Sequence, residues 1–563
     1  MSNKKNIWRA LAAFAFVLFI NWASGFVNRQ ADLTEEKRFT LSDVSKTFLH
    51  DKVDDDIHIT LYLDGSVNSG FKRLEKASLS ILKQFQAENK QRVGYEHIII
   101  DDIKEKGAKA KLIKQLQNLN MAPINVIDED NNGKRIQKAV YPWALVEYKG
   151  KQRPVKLLLN VSNKSGEQNL NSSIENLEYH FTEAFRLLSE PMDSRIAFLE
   201  GHGELGEGET YDITTALSQY YSVDRGRIGH VPDILDNYKA VIIAQPIEAF
   251  TESDKYVLDQ YVMGGGKLLW LVDGVKMSMD SLTKAETNFG IYNDLNISDM
   301  LFRYGVRINP DLLQDVQCAL YPVNVAGPGE AAKFQPLPWF YSPLLMPNTL
   351  HGISRNMSNV KGEFASSLDL VGNDEKIKKT VLLTTSAQSK VMPVPIEIDL
   401  GESVNNLDLE EFNGGQRPVA VLLEGEFPSI FANRMRPSNL EQGKAIKKSS
   451  VPTKMIVISD GDIIHNGLRG YGDETQIVPL GYDMATNQVL FSNKDFLLNA
   501  INYLTDDDGW YALRQRTIKL RLLDKKELER RQYYRLLNVA LPLFLLFLLS
   551  LVLMYARKRR FTK

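Results

Sequence analysis

The feature that most constrains this chain is an uncharged apolar segment at its C-terminal end. Residues 536–555 read LLNVALPLFLLFLLSLVLMY, and the basic cluster Arg557–Arg560 follows closely. A segment of this length can cross a bilayer as a helix, and a basic cluster beside a span is typical of its cytoplasmic side. Pro542 is tolerable inside a membrane helix. The sequence therefore predicts a transmembrane helix and a basic cytoplasmic tail within residues 536–563.

A second uncharged segment lies near the N-terminus. Residues 10–27 read ALAAFAFVLFINWASGFV, which is near the lower limit of length for a membrane helix. Three basic residues precede it and predict that this end stays in the cytoplasm. A cleavable signal peptide is the alternative, since Ala23 and Gly25 are small enough for a cleavage site. We expect an uncleaved anchor within residues 1–28, which leaves the residues between the two spans outside the cytoplasm.

Both predicted spans contain small or polar residues. These are Asn21, Ser24 and Gly25 in the first span, and Asn538 and Ser550 in the second. Within lipid such residues tend to face other helices, because an unpaired amide is costly there and small residues allow close packing. We therefore expect the spans to pack against another membrane protein. The alternative is that Asn21 and Asn538 lie among the lipid headgroups and are hydrated.

The composition excludes several function classes. The formal net charge is -2, so no overall field attracts nucleic acid, and we expect no nucleic-acid partner. With Cys318 as its one cysteine, the chain has no internal disulfide. The glycine-rich run GGGKLLW lacks the spacing and the hydroxyl residue of a phosphate-binding loop. We therefore expect no ATP hydrolysis by this chain.

Residues 29–190 are interpreted as a first α/β domain with a linking helix at its end. After a short helix capped by Ser42 or Thr40, the predicted order is βαβαββ, which is typical of a small α/β domain. The linking helix is predicted at 171–189, before Pro191. The predicted strands cover 57–63, 95–101, 123–127 and 139–148, and the predicted helices 42–49, 70–89 and 104–119.

Residues 191–512 are interpreted as a second, larger α/β domain with a parallel sheet. Its clearest part is a helix between two nearly continuous apolar strands, which indicates parallel strands buried on both faces. Thr251 and Asp254 predict a capping box at the start of that helix, and the glycines at 264–266 end it. Residues 275–450 show no continuous pattern, and 513–535 predict a charged helix that returns to the membrane. Strands are predicted at 195–200, 239–246, 267–274, 381–385, 419–424 and 454–462, and helices at 210–220, 251–263 and 493–505.

Two loops at the carboxyl ends of predicted strands carry the candidate site residues. They are Glu200, His202 and Glu204 in the first loop, and Asp460 and Asp462 in the second. In open α/β sheets, ligands bind at such carboxyl ends, and nitrogen and oxygen atoms could also hold a cation. The alternative is a helix-capping turn in the first loop and an Asp-Gly turn in the second. We favour the turns, predict no metal and no cofactor, and keep the five residues as a possible ligand or interaction loop.

No catalytic constellation is evident in the sequence. Cys318 lies in LLQDVQCALYP without a nucleophile elbow, and His351 is the nearest histidine in sequence. A core cysteine is therefore favoured over a nucleophile. The sequence contains no H-E-x-x-H motif and no Ser/His/Asp signature. We predict that the protein is not an enzyme.

Several segments together carry a family resemblance. In order, they are RFTLSDVSKTFL, RIAFLEGHGE, the segment 238–274 that ends in GGGKLLWLVDG, IVISDGDII and NKDFLLNAINYL, between the two predicted anchors. The chain resembles the auxiliary extracytoplasmic component of ABC-type transporters found with gliding-motility systems, the GldG family. The resemblance spans nearly the whole chain, and its most specific parts are GHGE and GGGKLLWLVD.

The resemblance implies a non-catalytic accessory subunit in the bacterial inner membrane, beside a separate ABC permease and a separate ABC ATPase. The bulk of the chain would be periplasmic and both termini cytoplasmic, with a role in gliding motility or associated protein export. The second domain would be Rossmann- or amidotransferase-like, but the nucleophile cysteine of amidotransferases has no counterpart here. The resemblance also favours an uncleaved first helix.

Two other functions stay open at this point. One is a free-standing envelope scaffold or sensor without a transporter partner. The other is an envelope hydrolase acting on glycans or peptides, which a convergent carboxylate pair or a metal in the 200–204 loop would favour. The chain could also form homo- or hetero-oligomers.

Overall fold

The computed structural model of the chain describes residues 15–16, 40–129, 135–189, 193–285, 287–326, 331–372, 375–400, 408–469, 476–515 and 531–561. The chain forms two compact units, residues 1–516 and 517–563. Apart from residues 15 and 16, the predicted first span lies outside the described residues, together with Asn21, Ser24 and Gly25. Most of the predicted helix 513–535 lies outside them as well. The domain boundaries given above stay predictions.

The helices begin where the sequence supplies caps. The Ser42 hydroxyl accepts a hydrogen bond from the Ser45 N–H, and Thr251 and Asp254 form the complete capping box that their spacing predicts. The described helices are α1 Asp43–Asp51, α2 Ser69–Glu88, α3 Lys106–Asn118, α4 Gly166–Ser189, α5 Tyr211–Leu217, α6 Glu252–Met263, α7 Met279–Ala285, α8 Ser298–Tyr304, α9 Asn493–Thr505 and α10 Arg531–Phe561.

A four-stranded sheet and a separate hairpin form the first part of the chain. The sheet has the order β2 (Val93–His97), β1 (Ile57–Leu61), β5 (Trp143–Tyr148) and β6 (Lys151–Lys156). In it, β1 and β2 are parallel and the other pairs antiparallel. The single strand predicted at 139–148 is wrong, because the backbone breaks at Pro142, which lacks an N–H donor, and the two halves join different sheets. The hairpin strands are β3 Ile124–Glu129 and β4 Arg135–Val140.

A large mixed sheet dominates the second part. Its strand order is β15 (Cys318–Asn324), β16 (Phe334–Pro347), β19 (Ile377–Thr384), β22 (Pro418–Gly425), β23 (Thr453–Ile458), β10 (Lys267–Leu271), β9 (Ala240–Ala244), β7 (Arg195–Glu200) and β8 (Ser222–Arg227). The five strands from β23 to β8 are parallel. When the five parallel strands are numbered by their order along the chain, their spatial order from β8 to β23 is 2-1-3-4-5. The predicted parallel strands are thereby confirmed, while the sheet as a whole is mixed, because β16, β19 and β22 add antiparallel pairs to it.

Both faces of the parallel strands are buried, as continuous apolar strands require. Alternate residues enter two different cores. Ile242 and Leu269 lie in one core with α9, while Ile243 and Trp270 lie in the other with α6. The central strands of the sheet therefore have no solvent-facing side, and only their ends are available for polar chemistry.

The region without a continuous pattern, 275–450, is rich in short strands. β19 covers residues 381–384 of the strand predicted at 381–385, and β22 covers the whole strand predicted at 419–424. Most of the other strands pair with strands far away in sequence, as Asp311–Asp315 does with Ser389–Pro393. The strands are β11 Val275–Lys276, β12 Thr287–Tyr292, β13 Val306–Ile308, β14 Asp311–Asp315, β15 Cys318–Asn324, β16 Phe334–Pro347, β17 Val360–Lys361, β18 Leu368–Leu370, β19 Ile377–Thr384, β20 Ser389–Pro393, β21 Ile396–Asp399 and β22 Pro418–Gly425. Beyond β23, the short strands are β24 Leu468–Arg469, β25 Gln476–Ile477, β26 Tyr482–Asp483 and β27 Gln488–Val489.

The C-terminal unit contains the helix α10, which covers the predicted second span. Among the described residues, it is the one helix long and apolar enough to cross a membrane, over Gln532–Arg559, and its most apolar 18-residue stretch has a mean hydropathy of 2.7 with no residue buried. Asn538 and Ser550 lie within it and are exposed. Length and composition therefore support a membrane helix at this end, whereas the arrangement of two spans stays a prediction.

Candidate functional site

Four polar residues follow the parallel strands at their carboxyl edge. Glu200 ends β7, Gln245 follows β9, Asp273 follows β10, and Asp460 follows β23. Because these strands are parallel and adjacent, their carboxyl ends meet at one edge of the sheet. Two clusters form there, one around His202 and one around Asp273 and Asp460.

The first loop brings His202 and Glu204 together but turns Glu200 elsewhere. His202 Nδ1 lies 3.0 Å from Glu204 Oε1, and His202 Nε2 lies 3.3 Å from Asp254 Oδ2. The Glu200 carboxylate instead accepts a hydrogen bond from Arg225 Nε at 2.8 Å. The three residues therefore do not converge on one point, and both ring nitrogens of His202 already have carboxylate partners.

The surroundings of His202 stabilise its protonated form. Its side chain is 8% exposed and its ring stacks on Phe250, with centroids 3.8 Å apart. Burial alone would lower the pKa of His202, but the hydrogen bonds to Asp254 and Glu204 raise it to about 9. The His202 carbonyl also accepts the N–H groups of Ile247 and Glu248, both at 2.9 Å. Ion pairs and hydrogen bonds thus connect this loop to α6 and to the residues after β9. The N-cap of the next helix, Thr210, makes no side-chain capping hydrogen bond to the described residues, so the helix-capping turn stays a prediction.

The second cluster joins Asp460 and Asp462 to a residue that the sequence interpretation missed. One carboxylate oxygen from each of Asp273, Asp460 and Asp462 lies within 4.8 Å of the others. Asp273 and Asp460 are buried, with 6% and 0% exposure, and Asp462 is partly buried. We call these three residues the acidic cluster.

Backbone and amide groups hold the carboxylates of the acidic cluster in place. Asp273 accepts hydrogen bonds from the Gly461 N–H at 2.5 Å and from Gln245 Nε2 at 2.8 Å. Asp460 Oδ1 accepts the Asp462 N–H at 3.0 Å, which is the Asp-Gly turn that the sequence favours. A Cβ on Gly461 would lie 2.5 Å from Gln245 Cγ, so this turn has no room for a side chain.

Burial and the negative charges nearby favour the protonated forms of Asp273 and Asp460. Burial, with the nearby charge of Asp462, raises the pKa of Asp273 to about 7 and raises the pKa of Asp460 well above its ordinary value. Burial also raises the pKa of Glu363, whose N–H donates to Asp460 Oδ2 at 2.8 Å. His465 Nδ1 lies 3.6 Å from Asp462 Oδ1. Among the described residues, Asp462 Oδ2 is buried without a hydrogen-bond partner.

Carboxylates this close together cannot all be ionised without compensation. Shared protons or an oxygen-bound divalent cation would each provide it, and Asp273, Asp460 and Asp462 are the described residues that could hold such a cation. The absence of a metal stays a prediction.

Asp273 could have been found from the sequence, because LVDG at the end of β10 repeats the pattern of ISDG at the end of β23. Glu363 has no such sequence pattern.

Cys318 lies at the start of β15, opposite Pro343 of β16. Its side chain is partly buried, and burial raises the pKa of its thiol to about 12. A thiol with a raised pKa is a weak nucleophile at neutral pH. His351, the nearest histidine in sequence, packs edge-on against Tyr503.

Cys318→Ser is therefore expected to leave the protein folded and its complexes intact. We expect a loss in unfolding free energy of about 1 kcal/mol or less, because a small apolar group is exchanged for a polar one at a partly buried site. Thermal unfolding and copurification of the variant would measure this. Complete loss of function in a variant that stays folded would contradict the non-catalytic interpretation.

Comparison with known families decides the class of the protein. The family model described as "ABC-type uncharacterized transport system", the ABC_transp_aux family, matches residues 193–500, more than half of the chain. The chain belongs to this auxiliary family of ABC transport systems. The match contains the whole parallel sheet, the His202 loop and the acidic cluster. A second model, for a domain of unknown function (DUF7088), matches residues 35–147.

Membership of the auxiliary family indicates an accessory role in ABC-type transport, and the apolar helix α10 is consistent with membrane association. No curated protein matches the chain. A solved structure titled "mmIFT52 N-terminal domain" is 15% identical, covers 56% of this chain and 98% of its own, and has a TM-score of 0.30. A likeness at that level says nothing further about this chain.

Proposed function

We propose that the protein is a non-catalytic subunit of an ABC-type transporter complex in the bacterial inner membrane. It acts beside a separate permease and a separate ATPase, with most of the chain in the periplasm and both termini in the cytoplasm. The observation that carries this proposal is the family match over residues 193–500. The resemblance to the GldG family extends the proposal to gliding motility or associated protein export.

The contacts of the 200–204 loop support a non-catalytic role for that loop. His202 and Glu204 are engaged with each other and with Asp254, while Glu200 is engaged with Arg225, so this loop offers no free acid–base pair. The feature that would have favoured an envelope hydrolase at residues 200–204 is therefore not supported by these contacts. A free-standing scaffold or sensor stays the main alternative, and the recovery of partners distinguishes it.

Replacing the predicted spans tests how the partners are bound. A chimera with one unrelated membrane anchor in place of residues 1–28 and 536–563 is expected to stay folded and in the membrane. Copurification with the permease is expected to fall at least tenfold, because small and polar residues such as Asn538 and Ser550 favour helix–helix contacts in lipid. Quantitative mass spectrometry of the purified material measures the loss.

A matched control replaces only Asn538 and Ser550 with leucine in the otherwise unaltered chain. If the spans form the contact, this variant is expected to recover less permease than the unaltered chain and more than the chimera. Recovery of the permease at unaltered levels by the chimera would show that the spans are only tethers. The soluble parts would then make the partner contacts.

A further inference from the structure

The helix α4, the linking helix, belongs to two hydrophobic cores. Leu177, Phe181 and Phe185 lie in the core beneath the four-stranded sheet. Tyr179 lies instead in the core on one face of the large sheet. Movement of this helix therefore disturbs the packing against both sheets, because close-packed protein interiors transmit strain.

The chain segment that follows the predicted first span docks on the linking helix. In α1, the Ser42 N–H donates to Glu178 Oε1 at 2.7 Å, and the Ser45 hydroxyl donates to the same oxygen at 2.8 Å. The Ser45 hydroxyl also lies 3.0 Å from the Thr182 hydroxyl. Ser45 and Thr182 are 0% and 2% exposed, so these hydrogen bonds are shielded from water.

The segment that precedes the C-terminal unit docks on the same part of the linking helix. The 3-10 turn Trp510–Gln515 stacks Trp510 on Tyr179, with ring centroids 5.5 Å apart and an angle of 13°. The guanidinium of Arg186 lies 4.2 Å from the Trp510 ring centroid. Asp506 fixes the turn by accepting the N–H groups of residues 509, 510 and 511.

The two segments also contact each other. Val44 of α1 packs against the core that contains Trp510, Tyr511 and Leu513. Glu178, which holds α1, and Tyr179, which holds the turn, are consecutive residues of the linking helix. The three elements α1, α4 and Trp510–Gln515 therefore form one packed unit, which we call the junction.

We propose that the junction is a conformational relay that couples the two segments flanking the predicted spans to each other and to both sheets. Displacement of either segment loosens the other and shifts the linking helix in both cores. This deepens the proposed function, on which its biological role rests, since a subunit beside a permease needs such a connection to respond to it. The coupling itself is a property of this chain and is measurable without any partner.

Hydrogen–deuterium exchange of the full chain in detergent micelles tests the relay. Trp510→Ala is expected to speed exchange about tenfold in α1 and in residues 172–186, because the aromatic stack and its cation contact are lost. Ser45→Val is expected to speed exchange in residues 510–515, since coupling between two sites is reciprocal. Arg186→Met, which keeps an apolar stem beside Trp510, is a milder variant should Trp510→Ala not fold.

Arg307→Met is the matched control, because it makes the same exchange at an exposed ion pair with Asp369, on a strand that is not part of the junction. Exchange in α1 and the linking helix is expected to be unchanged in this variant. If Trp510→Ala and Arg186→Met speed exchange only within residues 506–515, the turn is a local anchor and the relay is overturned. If the relay holds while no permease copurifies with the chain, the proposed function fails and the junction stands.

Discussion

Asp273→Asn is expected to keep stability that the unaltered chain loses as the pH rises from about 4 to 8. The folded state raises the pKa of Asp273 from 3.8 to about 7. A raised folded pKa means that the folded state binds more protons between these values, so the favourable contribution is present below pH 3.8 and is lost as the pH rises through 7. At pH 8 the variant is expected to be more stable by about 2–4 kcal/mol.

The substitution suits this site because asparagine can keep the local hydrogen bonds. Its Oδ1 can still accept the Gly461 N–H, and a flip of the Gln245 amide supplies an acceptor for the new Nδ2. The midpoint of urea unfolding, followed by tryptophan fluorescence at pH 5 and pH 8, measures the effect. Asp369→Asn, which removes the same charge from an exposed carboxylate, is the control and is expected to change little.

The opposite result would bear on the metal prediction. If Asp273→Asn lowers the stability at pH 8, the ionised carboxylate is needed there. Stabilisation of the unaltered chain, and not of the variant, by a divalent cation would show that the acidic cluster binds that cation. The prediction that the site holds no metal would then be wrong.

His202→Gln is expected to destabilise the protein, with the largest effect at low pH, whereas Asp273→Asn stabilises it most at high pH. The folded state raises the pKa of His202 from 6.5 to about 9, so its contribution is fully present below pH 6.5 and is lost as the pH rises through 9. The variant is expected to be less stable than the unaltered chain by about 2–3 kcal/mol at pH 6. The part of this difference that depends on the charge should disappear near pH 10.

The unfolding midpoints of both proteins at pH 6, 7.5 and 9.5 measure this dependence. His50→Gln provides the control, since His50 pairs with Glu88 on the surface with a side chain that is 55% exposed. Surface pairs contribute little, so no comparable pH effect is expected there. A difference between His202→Gln and the unaltered chain that is constant across this range would mean that the pKa of His202 is the same in the folded and the unfolded protein.

Local sequence pattern was sufficient for the parallel strands and the helix caps. The strand KLLWL is apolar throughout because both of its faces are buried, and Thr251 and Asp254 stand at capping-box spacing. The strands of 275–450 could not be found in this way. They are short and pair with distant partners, as Thr287 does with Asp399, so their stability comes from tertiary contacts rather than local preference.

The candidate site was likewise predictable from the sequence only in part. Asp460 and Asp462 could be found because they follow an apolar strand. Their convergence with Asp273 depends on the pairing of β10 with β23, which are far apart in sequence. The orientation of Glu200 toward Arg225 likewise depends on β8 lying beside β7, and this strand pairing cannot be predicted from the local sequence.

Affinity purification of the full chain from native membranes tests the central claim most directly. The chain would carry a small tag after Lys563, and the membranes would be solubilised in mild detergent. We expect an ABC permease and an ABC ATPase to be recovered together with the chain, in constant proportion and above the level of an untagged control. Recovery of the intact, folded chain without either protein would contradict an accessory role in an ABC-type transport complex.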